Sequence, residues 1–140
     1  MPSRRPPATI ALCIWTVLVW TTRIANIWRD HALTDGEKGG RTALALSFTV
    51  LVLVVAHAVY HRTTWRDVAV KVLAGWTLGV WVTRSYAIAT GEHRAAFIAV
   101  HLVLAAVSIA LAGLAVREVT RQAAEASCEA MGSAGTNSRQ

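Results

Sequence analysis

Charge is scarce in this chain. Of its 140 residues, 16% are Asp, Glu, Lys or Arg, against about 25% in an ordinary soluble domain. Acidic residues are rarer still where they would matter most. No Asp or Glu interrupts any of the long apolar runs, which argues against a proton-coupled exporter built on an intramembrane carboxylate. There are two cysteines, Cys13 and Cys128. They lie in different segments and form no CxxC, so neither a disulfide nor a cysteine metal site is expected. Gly-x-Ser-x-Gly, His-Glu-x-x-His and a glycine-rich phosphate loop are all missing. The expectation is therefore a non-enzymatic protein without a cofactor or metal.

What the chain has instead is apolar length. Hydrophobic residues make up 54% of it and its mean hydropathy is +0.43. Ala8–Thr22 runs 15 residues without a charge, Thr42–Tyr60 19, Val72–Thr83 12 and Ala95–Val116 22. A bilayer core of about 30 Å needs ~20 helical residues. Two runs reach that length directly, and the other two do so if each holds one Arg near an end. The reading is an all-α, four-helix transmembrane bundle with spans near 8–28, 42–60, 68–89 and 95–117. A soluble bundle would need a polar stripe on each helix, and "TALALSFTVLVLVVAHAVY" has none.

The net charge of +6 does not indicate nucleic acid. The basic residues sit at the ends of the runs, where they meet lipid headgroups, and no basic stripe with interleaved aromatics lies outside them. The start, "MPSRRPPA" before an apolar run, resembles a secretory signal. It lacks a small-x-small cleavage site, and three further runs follow, so an uncleaved first span is expected. Pro6 and Pro7 set φ ahead of the helix without interrupting it. One side of the expected bundle collects seven basic residues (Arg4, Arg5, Arg62, Arg66, Lys71, Arg117, Arg121). The other collects Arg29, Lys38, Arg41 and Arg94, or six with Arg23 and Arg84. That bias places both termini in the cytoplasm of a bacterial cell.

The chain also repeats itself. "WTVLVWTTRIANI" (Trp15–Ile27) and "WTLGVWVTRSYAI" (Trp76–Ile88) agree at seven of thirteen positions without a gap, each pair 61 apart. A fainter echo joins "DGEKGGR" (Asp35–Arg41) to "TGEHR" (Thr90–Arg94). The unit is a helix, a short Gly-Glu loop and a second helix, at about 10–62 and again at 71–118. Two spans per unit bring both copies into the membrane from the same side, which predicts parallel repeats about an axis along the membrane normal. The domain expected is 1–118. Beyond it, 119–140 reads as a cytoplasmic helical extension that ends in a disordered tail from Met131.

Thr16, Trp20, Arg23 and Ile27 share one helical face, as do Thr77, Trp81, Arg84 and Ile88. Arg23 and Arg84 lie ~7 Å inside the outer boundary. Two readings stay open. The Trp and Arg side chains can be interfacial anchors, with Arg snorkelling and Trp stacked on it. Alternatively Trp20, Arg23, Trp81 and Arg84 face one another across the pseudo-two-fold axis and cradle an anion.

His57 and His101, inside spans 2 and 4, invite a haem or quinone reading. They sit ~22 Å and ~9 Å from the outer ends of their helices, too far apart in depth for one iron. Each is expected as a neutral histidine hydrogen-bonded within the bundle. Asp30, His31, Asp35, Glu37, Glu92 and His93 could form a shallow metal site. The Thr34-x-x-Glu37 spacing instead reads as a capping box. Gly75 and Gly79 form a GxxxG, and Ala106/Ala110 and Ser108/Ala112 are small-xxx-small pairs. All are candidates for close helix packing, internal or between protomers.

"GWTLGVWVTRSYAI" (Gly75–Ile88), "AAFIAVHLVLAAVSIALAGLA" (Ala95–Ala115) and "RTALALSF" (Arg41–Phe48) resemble small four-span integral membrane proteins of actinobacteria. The resemblance spans about residues 10–117 and implies a location and a topology, but no chemistry. The small multidrug transporters share the length but carry a Glu in the first span, which has no counterpart here. The expected function is a structural or accessory subunit of an envelope or membrane complex, partnered by lipid and by a second copy or another membrane protein. The alternatives are a small transporter or channel for an anionic ligand and a quinone- or haem-contacting redox subunit.

Overall fold

A computed structural model describes residues 6–91 and 95–137, with side chains as far as Cys128 and at Met131. Four helices make up the described chain: α1 (Pro7–Arg29), α2 (Asp35–Tyr60), α3 (Arg66–Thr90) and α4 (Ala95–Asn137). Both α1 and α3 pack against α2 and α4. The four therefore form a ring with α1 and α3 on one diagonal and α2 and α4 on the other.

Local chemistry sets the ends. Pro7 opens α1 at a position where a missing N–H costs nothing. Pro6, the N-cap, offers no side-chain hydrogen bond, and a carboxylate from α4 takes over the role. Glu118 Oε2 accepts from Thr9 N (3.1 Å) and from Thr9 Oγ1 (3.3 Å). The start of α1 and the region around Glu118 therefore share one end of the bundle. Thr34 and Glu37 close the expected capping box on α2. At the other end of α2, Arg62 adopts a left-handed φ of 50°, and Thr63 N donates to Ala58 O at 3.1 Å. That is a Schellman ending, with Arg in the place usually taken by glycine.

The interior is apolar and tightly filled. Leu12, Phe48, Val55, Val70, Leu73 and Val119 are completely buried. Burial on the first diagonal follows the 61-residue offset well beyond the matched motif. Thr9, Leu12, Thr16, Trp20 and Ile27 are buried on α1, and Val70, Leu73, Thr77, Trp81 and Ile88 on α3. Thr16 and Thr77 satisfy their hydroxyls in the same way, on the carbonyls of Leu12 (2.7 Å) and Leu73 (2.8 Å), so a polar atom sits in the core without an orphaned donor.

The outside is as greasy as the inside. Ile14, Leu53 and Val103 are each more than 60% exposed. A water-soluble domain does not present such a surface all round. By length and composition α1, α2 and α4 are able to cross a membrane. At 25 residues α3 is long enough, but its Gly, Trp, Thr, Ser and Arg side chains dilute its hydropathy below that of its neighbours.

One expectation about the helices changes, and the packing expectation, which allowed contacts within the bundle or between protomers, loses its internal alternative at four residues. The tail expected to be disordered from Met131 is helical through Asn137, because a helix already nucleated extends at little cost per residue; residues 138–140 lie outside the described chain. The four predicted packing residues Gly75, Gly79, Ala106 and Ala110 all face outward. A methyl group added at either glycine would meet nothing within 4 Å. The internal contact of α4 instead runs along Ala105, Ser108, Ala112 and Ala115, which includes the second small pair. Small residues occur on both faces of these helices, so spacing alone does not say which face turns inward.

Candidate functional site

The anchor and cradle readings are separated by where the two Trp-Arg faces point. Trp20 and Arg23 from α1 and Trp81 and Arg84 from α3 line one cavity of about 240 Å³ at the end of the bundle away from the Thr9–Glu118 contact. Apolar side chains, among them Val19, Leu44, Val80 and Leu104, form most of its wall. Its polar groups are Arg23, Arg84, Arg41, His101, Asn26 and Thr22. Three arginines from α1, α2 and α3 thus line one space, and no carboxylate is among its lining residues in the described chain.

Each wall has a local cause. Trp20 is buried because its ring stacks on Phe48 of α2, with centroids 4.2 Å apart and planes 17° from parallel. Trp81 packs with Val19 of α1 and Ala105 of α4. The partner of each Trp is therefore apolar, and the expected stacking of Trp20 on Arg23 is replaced by a different pairing of the Arg. Arg23 Nη1 lies 3.1 Å from His101 Nε2, and His101 Nδ1 lies 2.9 Å from the carbonyl of Phe97.

That pair of contacts fixes the histidine chemistry. A carbonyl only accepts, so Nδ1 carries the proton. A guanidinium only donates, so Nε2 is the acceptor. Both nitrogens of His101 are thus engaged within the bundle, Nδ1 as donor and Nε2 as acceptor. His57 departs from the expectation of a histidine hydrogen-bonded within the bundle. It is exposed and lies against His61 (4.4 Å between ring centroids) and Trp65 (6.4 Å), by the α2–α3 turn. It takes no part in the cavity.

The acidic loop residues act locally. Asp30 Oδ1 accepts from Ala32 N at 3.0 Å, and Glu37 serves the α2 cap. Glu92 and His93 lie outside the described residues. Among the described residues, no three His, Cys, Asp or Glu side chains gather as metal ligands.

No family model, curated protein or solved structure matches the chain. The site therefore has to be read from its own geometry. Sequence reasoning offered the meeting of Trp20, Arg23, Trp81 and Arg84 as one of two readings and expected His101 to be hydrogen-bonded within the bundle, but it missed Arg41 and did not pair His101 with Arg23. Depth held the missing signal. Counted at 1.5 Å per residue, His101 and Arg23 fall within ~2 Å of the same level below the outer boundary, and Arg41 precedes span 2 at that end. Two such groups are partners once α1 and α4 are adjacent.

Proposed function

We propose that this chain is a non-enzymatic, four-span protein of the bacterial cell membrane that binds an oxyanion in the cavity between α1 and α3. It has both termini in the cytoplasm and is built from two copies of a helical hairpin. One observation carries the reading: the repeated Trp-Arg faces meet at a single space together with Arg41 and His101. Guanidinium groups favour oxyanions because their planar donors match paired oxygens. The surrounding apolar wall strengthens each contact by lowering the local dielectric.

The fourth span is supported by aromatic spacing. Trp65 and Tyr86 are exposed at opposite ends of α3, ~31 Å apart along its axis, which matches the height of a hydrocarbon core. The 61-residue offset in burial and in hydrogen bonding supports the duplicated hairpin.

The bound group is the head of an anionic phospholipid or a free inorganic oxyanion. Titration with sulfate, in nanodiscs of phosphatidylcholine with and without phosphatidylglycerol, separates the two. Sulfate binding in both discs marks a free-anion site. Binding in the phosphatidylcholine disc that phosphatidylglycerol suppresses marks a lipid site. Arg23→Gln with Arg84→Gln should weaken either by at least ~10-fold, in line with the loss of charge-assisted hydrogen bonds. If wild type binds neither sulfate nor phosphatidylglycerol, the reading is wrong. Sulfate uptake into liposomes then distinguishes a carrier from a holding site.

A second reading, a structural subunit of a larger membrane complex, rests on the outward Gly75–Gly79 face, which leaves room for another helix to approach. Gly75→Leu with Gly79→Leu would break such a complex in mild detergent and leave sulfate binding unchanged. If the variant and wild type elute alike as monomers, this reading fails.

A further inference from the structure

We infer that oxyanion binding in this cavity is coupled to the uptake of one proton by His101. The inference rests on the anion-binding reading and adds a second ligand to the same site.

In this structure part of the Arg23 donor fork is taken up by His101. Its Nη1 is committed to His101 Nε2 at 3.1 Å, and the imidazole accepts only because Nδ1 donates to the Phe97 carbonyl at 2.9 Å. The carbonyl belongs to the preceding turn of α4, so the ring is held in this tautomer by its own helix. His101 is itself buried. The contact is thus a latch on the guanidinium that the repeated motif aims into the cavity.

A proton arriving from solvent has one place to go on this ring, Nε2. Once protonated, Nε2 becomes a donor facing a donor, and the bond to Arg23 breaks. The guanidinium is released, and a fourth positive charge joins Arg23 on α1, Arg41 on α2 and Arg84 on α3. Among the described residues no carboxylate lines the cavity to offset that charge. Glu37, whose carboxylate feels the Arg41 charge, is occupied at the α2 cap. An anion in the cavity therefore favours protonation relative to the cavity without one. A bound oxyanion faces both released donors, the Arg23 fork and the His101 Nε2–H. By linkage, whatever the anion does for the proton, the proton does for the anion. Histidine is the side chain whose ordinary range makes this coupling effective near neutral pH.

The test uses the full chain in phosphatidylcholine nanodiscs with sulfate, which does not itself titrate between pH 5 and 8. Calorimetry in buffers of different ionisation enthalpy counts the protons taken up per sulfate bound. Wild type should take up a fraction of a proton, rising to at most about one. Above the titration of His101, its dissociation constant should climb by up to ~10-fold per pH unit. His101→Gln, neutral at every pH, should still bind sulfate but with no uptake and a flat pH profile. His93→Gln, a control for the histidine of the α3–α4 connection, should retain the uptake. An NMR titration of wild-type His101 provides a reading that needs no variant, and its midpoint should rise when sulfate is added. Sulfate binding with no proton uptake, or an His101 midpoint that sulfate leaves in place, would overturn the coupling while leaving the anion site standing. The absence of sulfate and phosphatidylglycerol binding at every pH would remove the site itself.

Discussion

Ser47 on α2 and Ser108 on α4 stand 61 positions apart, and each accepts a hydrogen bond from the indole of a tryptophan on the other hairpin. Trp76 Nε1 donates to Ser47 Oγ at 3.1 Å and Trp15 Nε1 to Ser108 Oγ at 2.9 Å. The offset is the one that relates the two tryptophans, so exchanging the hairpins maps one bond onto the other. Thr22 and Thr83 obey it too, on the carbonyls of Leu18 and Val19 and of Gly79 and Val80. These bonds tie each hairpin to the other at mid-depth, where no water offers a substitute partner.

Removing Ser108 should therefore cost more than removing Ser47. The indole of Trp15 is only partly exposed, whereas Trp76 is 43% exposed and able to turn. Interhelical hydrogen bonds in membranes are worth about 0.6 kcal/mol on average and up to ~1.7. Ser108→Ala should fall in the upper half of that range and Ser47→Ala in the lower. The double variant should be close to additive because the two bonds share no atoms. Unfolding in mixed micelles by added SDS measures all three.

Glu118 deserves the same treatment at the opposite end. It supplies from α4 the cap that Pro6 withholds from α1. Glu118→Ala should cost ~1 kcal/mol, the usual loss for a helix cap, and should free the first turn of α1 to exchange its amides. Glu118→Gln keeps an acceptor oxygen but loses the charge that favours a helix N-terminus, so it should cost less. Hydrogen exchange at Thr9 and Ile10 separates the two variants.

Arg62 occupies a left-handed backbone position that an L side chain with a Cβ enters at a cost of about 1 kcal/mol. Arg62→Gly should recover most of that in unfolding experiments, because glycine is at home at the C′ position of a Schellman ending. The same change removes one of the seven basic residues behind the expected orientation. Stability should rise while the charge bias behind the proposed orientation weakens, and a reporter fused after Arg62 reads the second effect.

The helices, and the shared face of Trp20 with Arg23 and of Trp81 with Arg84, were legible because both follow from periodicity along one chain segment; that the two faces meet was one of two open readings. Charge-free length gives the rods, and the i, i+4, i+7 spacing gives the face. Thr34 and Glu37 were legible for the same reason, since a cap is a contact within four residues. The Arg23–His101 and Thr9–Glu118 bonds were not. Each joins α1 to α4, and nothing in either segment says that those two helices touch. Ser47 and Ser108 were within reach, because the offset read from the tryptophans runs straight through them. The outward turn of Gly75 and Gly79 was hidden, since a GxxxG looks the same whether it meets a neighbour or lipid.

That outward turn makes its own prediction. In a helix interior alanine is better than glycine by roughly 1 kcal/mol, and no atom stands within 4 Å of where the new methyl groups would go. Gly75→Ala and Gly79→Ala should each stabilise the isolated bundle by up to that amount in the same SDS titration. A loss of stability at either site would mean that another helix fills the space.

The last prediction concerns acid. Hydrogen bonds from the Thr34 backbone N–H and hydroxyl, reinforced by the nearby Arg41 charge, hold the Glu37 carboxyl below its ordinary value. A carboxylate whose folded value is depressed contributes stability that is fully present above the unfolded value, about 4.3, and lost as pH falls through the folded one. The capping box should therefore be intact at neutral pH and open only on acidification past the ordinary carboxylate range, with the protection of amides in the first turn of α2, relative to their intrinsic exchange, falling over that window. Glu37→Gln should abolish the acid step and keep one degree of protection throughout. Because Arg41 both steadies Glu37 and lines the cavity, opening the box also frees Arg41 from its acidic neighbour. An acid-dependent gain in sulfate affinity that persists in His101→Gln and vanishes in Glu37→Gln would be traced to this cap, well below the range in which a histidine titrates.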